Sequence, residues 1–376
     1  MDFSYSEEQE SLKSLAARLF ATRFTDEFRK QFRRSGEPYD SMLWAQLANA
    51  GLLGTTLAPE HGGSGLGFTE LCLLLEEQGR TLASVPLFAT LVLGALPLQR
   101  FGTPAQQALL RGVAAGEIIL SAALEEPGAT NPLSPGTLAQ AVSGGFRLTG
   151  LKSCVPFGAQ SHRVLVAAHT AEHGARLFIL DPKAPGVALE SERSTSGEPQ
   201  AQIKLTDVAV AATDVLGEST EIDPLRWTLD RAHVAVAARQ LGVTSEALRR
   251  AAAYATGRRQ FGRPIGSFQA VQHRLADCYI DVEALRSAYL RAVWTLEEAL
   301  PASAEVLAAK WWAAQAGHRV THAVQHIHGG LGADVEYPIH AFFLEAKQLE
   351  MALGGATAFL AAIGAELATG RVRSFT

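Results

Sequence analysis

Asp230 and Arg231 stand side by side in a run whose apolar residues fall at helical spacing. On a 3.6-residue period Asp230 shares a face with Trp227, Val234, Ala237 and Leu241. A carboxylate on an apolar face loses hydration, its pKa rises, and it becomes a base suited to neutral pH. Arg231 is placed to orient it or to shape the surrounding wall. The plainer reading is an i, i+4 pair between Arg226 and Asp230, worth roughly 0.2–0.5 kcal/mol. A second cluster, Gly257-Arg258-Arg259-Gln260-Phe261-Gly262-Arg263-Pro264-Ile265-Gly266-Ser267-Phe268-Gln269, is a basic, glycine-bounded loop between two long helical patterns. Arginine forks grip phosphate oxygens in pairs, and an aromatic ring can cover a heterocycle, so an anionic ligand with a flat ring suits it. Arg258 and Arg259 alone would equally serve as charges at a helix C-terminus. His322 and His326 lie at i, i+4, but no acidic third ligand accompanies them, and a metal site is not expected.

These residues need elements to hold them. Ser6 before Glu7, Glu8 and Gln9 caps a first helix with Leu12, Leu15, Ala16 and Leu19 on one face. A second helix runs from Ser41 to Ala50 and stops at Gly51, and a third pattern covers Phe68 to Leu82. From Ile119 to about Leu216 the texture changes to short apolar runs broken by turns. Val164–Ala168, Leu177–Leu180 and the alternating Ala201–Leu205 predict strands. From Asp223 the chain is helical again. The pattern predicts helices from Asp223 to Gly257, from Ser267, from Ser303 to His328, and from near Ile339 to about Gly370. Strands confined to one middle block, flanked by helices, predict a mainly α fold with a central β domain. The domains are expected at 1–118 (helical), 119–220 (β) and 221–376 (a four-helix bundle).

The Arg258 run closely resembles the R-x-x-F-G-x-P-I-x-x-F-Q signature of the FAD-dependent acyl-CoA dehydrogenases. The α–β–α order matches that family over the whole chain. Pro59-Glu60-His61-Gly62-Gly63-Ser64-Gly65 resembles its P-E-x-x-G-G-x-G turn, or is a plain helix connector. The resemblance implies that Arg258 holds the FAD pyrophosphate across a subunit interface, with Phe261 and Gln269 beside the cofactor. It places Gly329-Gly330 at the adenine side, with His326 where the family usually has glutamine. It sets Glu125-Glu126-Pro127-Gly128-Ala129-Thr130-Asn131-Pro132 against T-E-P-G-A-G-S-D beside the flavin ring, so that Leu124, Glu125 and Asn131 border the cofactor. Cys154-Val155-Pro156-Phe157-Gly158 stands where the family reads W-I-T-N-G, so Cys154 and Pro156 replace an aromatic wall and a hydroxyl.

Leu353 occupies the place of the Glu in Y-E-G-T that usually takes the substrate α-proton. Some relatives carry the glutamate on an earlier helix, before an arginine, and Asp230-Arg231 stands there. Glu350, one turn before Leu353, reads as a helix-surface residue. The resemblance implies dehydrogenation of an acyl-CoA to a trans-2-enoyl-CoA, with electrons passed to an electron-transferring flavoprotein or similar acceptor. The assembly is expected to be a homotetramer, or a heterotetramer with a related chain as in steroid side-chain enzymes. In the latter this chain can be a non-catalytic subunit that completes its partner's FAD site. A cofactor-free helical scaffold is the third reading.

Composition sets bounds. Among 376 residues 47% are hydrophobic and 19% charged, with a net charge of -5. That is a packed globular composition, and it excludes a basic nucleic-acid binder. Three widely spaced cysteines offer no disulfide framework, the acidic N-terminus is no export signal, and no long uninterrupted apolar run is present. A cytoplasmic location without a membrane span is expected.

Overall fold

The computed structural model describes residues 3–129, 131–217 and 222–369. In chain order the first helices are α1 (Glu7–Arg23), α2 (Asp26–Ser35), α3 (Ser41–Asn49), α4 (Phe68–Thr81), α5 (Leu96–Phe101), α6 (Pro104–Gln107) and α7 (Leu110–Ala114). The strands that follow are β1 (Leu120–Ala123), β2 (Leu138–Val142), β3 (Gly145–Pro156), β4 (Arg163–Thr170), β5 (Gly174–Leu180), β6 (Val187–Arg193), β7 (Pro199–Ala211) and β8 (Val215–Leu216). The C-terminal part holds α8 (Pro224–Gly257), β9 (Arg259–Gln260), β10 (Arg263–Pro264), α9 (Gln269–Glu297), α10 (Ser303–His328), α11 (Gly330–Ala333), α12 (Pro338–Met351) and α13 (Ala356–Ala368). The expected mainly α fold with a central β region is therefore present. The expected domain boundary at 220 and the helix end at Gly370 lie outside the described residues.

By contact the chain forms two units that interleave in sequence. One gathers residues up to 35, 68–83 and from 233 onward; the other gathers 36–67 and 84–232. The second unit is built on one sheet of order β6-β7-β3-β2-β4-β5-β8, with β1 parallel to β4. Strand β7 alternates buried and exposed residues, and it places Ala201, Ile203 and Leu205 in the same core as Leu148, Val155, Val166 and Phe178. The period-2 pattern fixes which face of the strand is buried.

The first unit packs α1, α2, α4 and α9 to α13 with most of α8. Ser6 caps α1 as a full capping box with Gln9. Helices α4 and α8 touch backbone to backbone: a Cβ on Gly242 would lie 1.9 Å from the carbonyl of Glu76, and one on Gly79 would lie 2.1 Å from that of Arg239. Only glycine permits such an approach. The buried Arg239–Glu345 pair, 2.5 Å apart, joins α8 to α12.

Two boundaries differ from expectation. Helix α9 begins at Gln269, not Ser267, because Ser267 lies in a 3-10 turn and its hydroxyl donates to Pro264 O at 2.7 Å. The expected last helix is two helices, broken at Ala352–Gly355 by positive φ at Leu353 (56°) and Gly354 (111°). Residues 338–368 are together long and apolar enough to cross a membrane, but the break leaves helices of 14 and 13 residues. Each is shorter than the roughly 20 residues a span needs.

Candidate active site

The Arg258 run is not an open loop. Gln260 pairs with Arg263 and Arg259 with Pro264 in a short antiparallel hairpin. Phe261 (φ 53°) and Gly262 (φ 80°) form its tip, with the two positive φ values of a type I′ turn. Glycine accepts that geometry freely. Phenylalanine does not, and such strain points to a role for the residue. Phe261 is 89% exposed. Arg259 braces the tip by donating to Gly262 O at 2.8 Å, and Arg263 lies 4.1 Å over the Phe268 ring. Arg258 and Gln269 are both exposed.

The glycine turn shares this end of the bundle. Tyr254, one turn before Arg258, stacks on His328 with ring centroids 4.3 Å apart. His328 immediately precedes Gly329, whose φ of 62° and ψ of -139° are glycine's territory. A Cβ on Gly329 or Gly330 would meet nothing within 4 Å, so the turn presents bare backbone to open space. His326 is exposed and its ring contacts Arg274. The His322 ring donates from Nδ1 to the His318 carbonyl at 2.7 Å.

The sheet unit brings together the two stretches expected beside the flavin ring. Ser153 N donates to Glu125 O at 3.0 Å, an isolated bridge that lays Leu124-Glu125 beside Ser153-Cys154. Leu124 is buried; Cys154 is exposed with φ 53°. Burial, and then the charge of Glu125, push the Cys154 thiol up. Pro156 O accepts from Ser121 Oγ at 2.5 Å. Phe157 is buried and packs edge-on to Tyr39. Asn131 folds its carboxamide back onto Leu133 N at 3.0 Å.

Asp230 is half-buried on α8, and among the described residues no hydrogen bond or ion pair holds its carboxylate. Burial raises its pKa to about 6 despite the nearby charges of Arg226 and Arg231. Arg231 lies over its own helix: its guanidinium stacks 3.6 Å from the Trp227 ring and donates to Trp227 O at 3.3 Å. Glu350 is tied to Lys347 at 2.5 Å, an ion pair within one turn of α12.

The turn bearing Leu353 is fixed from outside. The fully buried Lys310 donates to the carbonyls of Leu349, Glu350 and Gly354 at 3.3, 3.1 and 2.9 Å. The His233 ring donates to the Leu353 backbone and packs edge-on to Phe359. Burial, then the Lys310 charge, depress His233 to about 3, so it stays neutral. The sequence reading missed Lys310 and His233. It missed Glu126 and Lys152 too, though Lys152 falls four residues after Leu148 in the same inward phase of β3, a signal that it needs a buried partner.

Residues 6–117 match the acyl-CoA dehydrogenase N-terminal domain and residues 223–368 the acyl-CoA dehydrogenase C-terminal domain. The chain is 38% identical to acyl-CoA dehydrogenase FadE27 of Mycobacterium tuberculosis, over 98% of this chain and 99% of that protein. It is similar to the ChsE4-ChsE5 complex of Mycobacterium tuberculosis, with TM-score 0.93 and 38% identity over 100% of both chains. It is also similar to a variant of the Tcur3481-Tcur3483 steroid ACAD, with TM-score 0.92 and 44% identity over 97% of this chain and 99% of that one. The chain belongs to the acyl-CoA dehydrogenase family, FAD-dependent oxidoreductases acting on CH–CH bonds.

The outer part of an FAD site fits the residues present, since an outward arginine hairpin and a bare glycine turn share one end of the bundle. The stretch expected beside the ring pairs Glu125 with Ser153 and offers the Cys154 thiol and Pro156, not the aromatic ring and hydroxyl of the resembled motif.

Proposed function

We propose that this chain oxidises a CoA thioester to its trans-2-enoyl form, with Asp230 as the base that removes the α-proton. The observation that carries this reading is the half-buried Asp230 carboxyl, raised to about 6. It is ionised at neutral pH, yet burial leaves it proton-hungry, which is what a general base requires. Bound FAD would supply the hydride acceptor for the β-carbon. Arg258 would hold its pyrophosphate, Phe261 and Gln269 would flank it, and His326 with Gly329 and Gly330 would line its adenine side. Leu124, Glu125, Asn131, Cys154 and Pro156 would border the ring. Arg231, stacked on Trp227, would shape the wall beside Asp230. The named steroid relative supports a bulky acyl group, with electrons leaving to an electron-transferring flavoprotein or similar acceptor. In the test, Asp230→Asn keeps its flavin but no longer lets substrate bleach it; unchanged bleaching would refute the assignment.

A second reading is favoured by the unequal state of the two halves. The hairpin is intact, while Leu353, Cys154 and Pro156 have replaced ring- and base-side groups, and both similar structures carry paired names. On that reading the chain donates its Arg258 hairpin to the flavin of a related chain in a heterotetramer. A chain that is colourless alone and yellow only when co-expressed with such a partner would select it over own-site catalysis.

A further inference from the structure

The Glu126 carboxylate collects four donors. Lys152 Nζ and Thr137 Oγ1 each donate to Oε1 at 2.6 Å, Thr137 N donates to Oε1 at 2.9 Å, and Gly136 N donates to Oε2 at 2.7 Å. Lys152 is fully buried, and Thr137 is 1% exposed. Thr137 in turn sits where β3 has no side chain: a Cβ on Gly150 would lie 2.4 Å from its Oγ1. The cluster thus joins strand β3, at Gly150 and Lys152, to both ends of the turn between Glu126 and Gly136. The backbone of the same stretch adds the Glu125–Ser153 bridge and a bond from Ala129 N to Glu126 O at 3.1 Å.

We propose that Lys152, through Glu126, is a positioning residue that sets the stretch Leu124–Ala129 against Ser153-Cys154 and thereby shapes the ring side of the flavin site. This rests on the reading that Leu124–Ala129 borders the flavin ring of this chain. Burial opposes ionisation of Glu126, but the Lys152 and Thr137 donors hold it at about 2, while burial lowers Lys152 against the pull of Glu126. The carboxylate is therefore committed to anchoring and unavailable as a base. Charge-assisted bonds of this kind hold geometry tightly, and removing one partner strands the other in the protein interior.

The test uses the full chain loaded with FAD, and compares Lys152→Met, Lys152→Arg and Glu126→Gln. Lys152→Met should raise amide exchange over residues 124–129 by about tenfold and weaken FAD binding by about tenfold, with a shifted flavin absorbance band. Lys152→Arg should restore most of the flavin affinity and band position, a rescue that a general folding role would not give. Glu126→Gln keeps the shape and loses the charge, and it should reproduce the loosening even if Lys152→Met fails to fold. Unchanged exchange in Glu126→Gln would overturn the anchoring role. Faster exchange with unchanged flavin affinity and spectrum would overturn the flavin role, and would show that this stretch does not border the ring.

Discussion

At the scale of single residues, Asp230 ties chemistry to pH. Its carboxyl is raised by burial from the ordinary 3.8 to about 6. The rate of α-proton removal should therefore climb as pH rises through about 6 and level off above it, and this limb should vanish in Asp230→Asn. The stability sign runs the other way. The folded protein binds the proton more tightly than the unfolded chain, so stability falls as pH rises from about 4 to 6 and stays lower above. Asp230→Asn removes that cost, so its thermal midpoint at pH 7.5 should exceed wild type, by no more than about 3 kcal/mol of stability. A lower midpoint would mean that the carboxylate makes stabilising contacts. This residue was legible in the sequence because a lone acid on an apolar helical face is a conflict that a core does not tolerate without reason. The stacking of Arg231 onto Trp227 was not legible, since contact with Asp230 or with Trp227 satisfies the same spacing.

At the scale of elements, the long helices were legible because periodicity and glycine stops agree: α8 ends at Gly257 and α10 at His328 before Gly329. The break after α12 was not. Gly354-Gly355 is a glycine stop too, but it lies inside an apolar run that reads as continuous, and the turn it permits is held by a lysine from α10 and a histidine from α8 bound to its carbonyls. Removing that support should matter. Lys310→Met leaves one buried and two part-buried carbonyls without this donor and should cost about 2–4 kcal/mol in denaturant unfolding, with exchange fastest around residues 349–354. The hairpin behaves oppositely. Phe261→Gly relieves a strained positive φ, so it should leave stability unchanged or raise it by up to about 1 kcal/mol while weakening flavin retention. Loss of stability without loss of flavin would make the aromatic tip a folding element instead.

At the scale of the whole molecule, the α–β–α order and the mainly α class were readable from texture alone, because strand and helix periods differ and the strands sit in one block. The interleaving of α4 with the C-terminal helices was not, since it depends on Gly79 and Gly242 admitting a backbone contact between segments far apart in sequence. On the proposed function, the exposed arginine hairpin with its strained aromatic tip meets a ligand or subunit beyond the chain's own surface. Arg258→Ala should accordingly leave the fold and thermal midpoint within about 0.5 kcal/mol of wild type while releasing flavin from the assembled protein. The most direct test is the anaerobic absorption spectrum of the FAD-loaded protein on adding a steroid side-chain CoA thioester, with Asp230→Asn alongside. The flavin band should bleach in the wild type and persist in the variant. Bleaching of equal rate and extent in both would rule out Asp230 as the base.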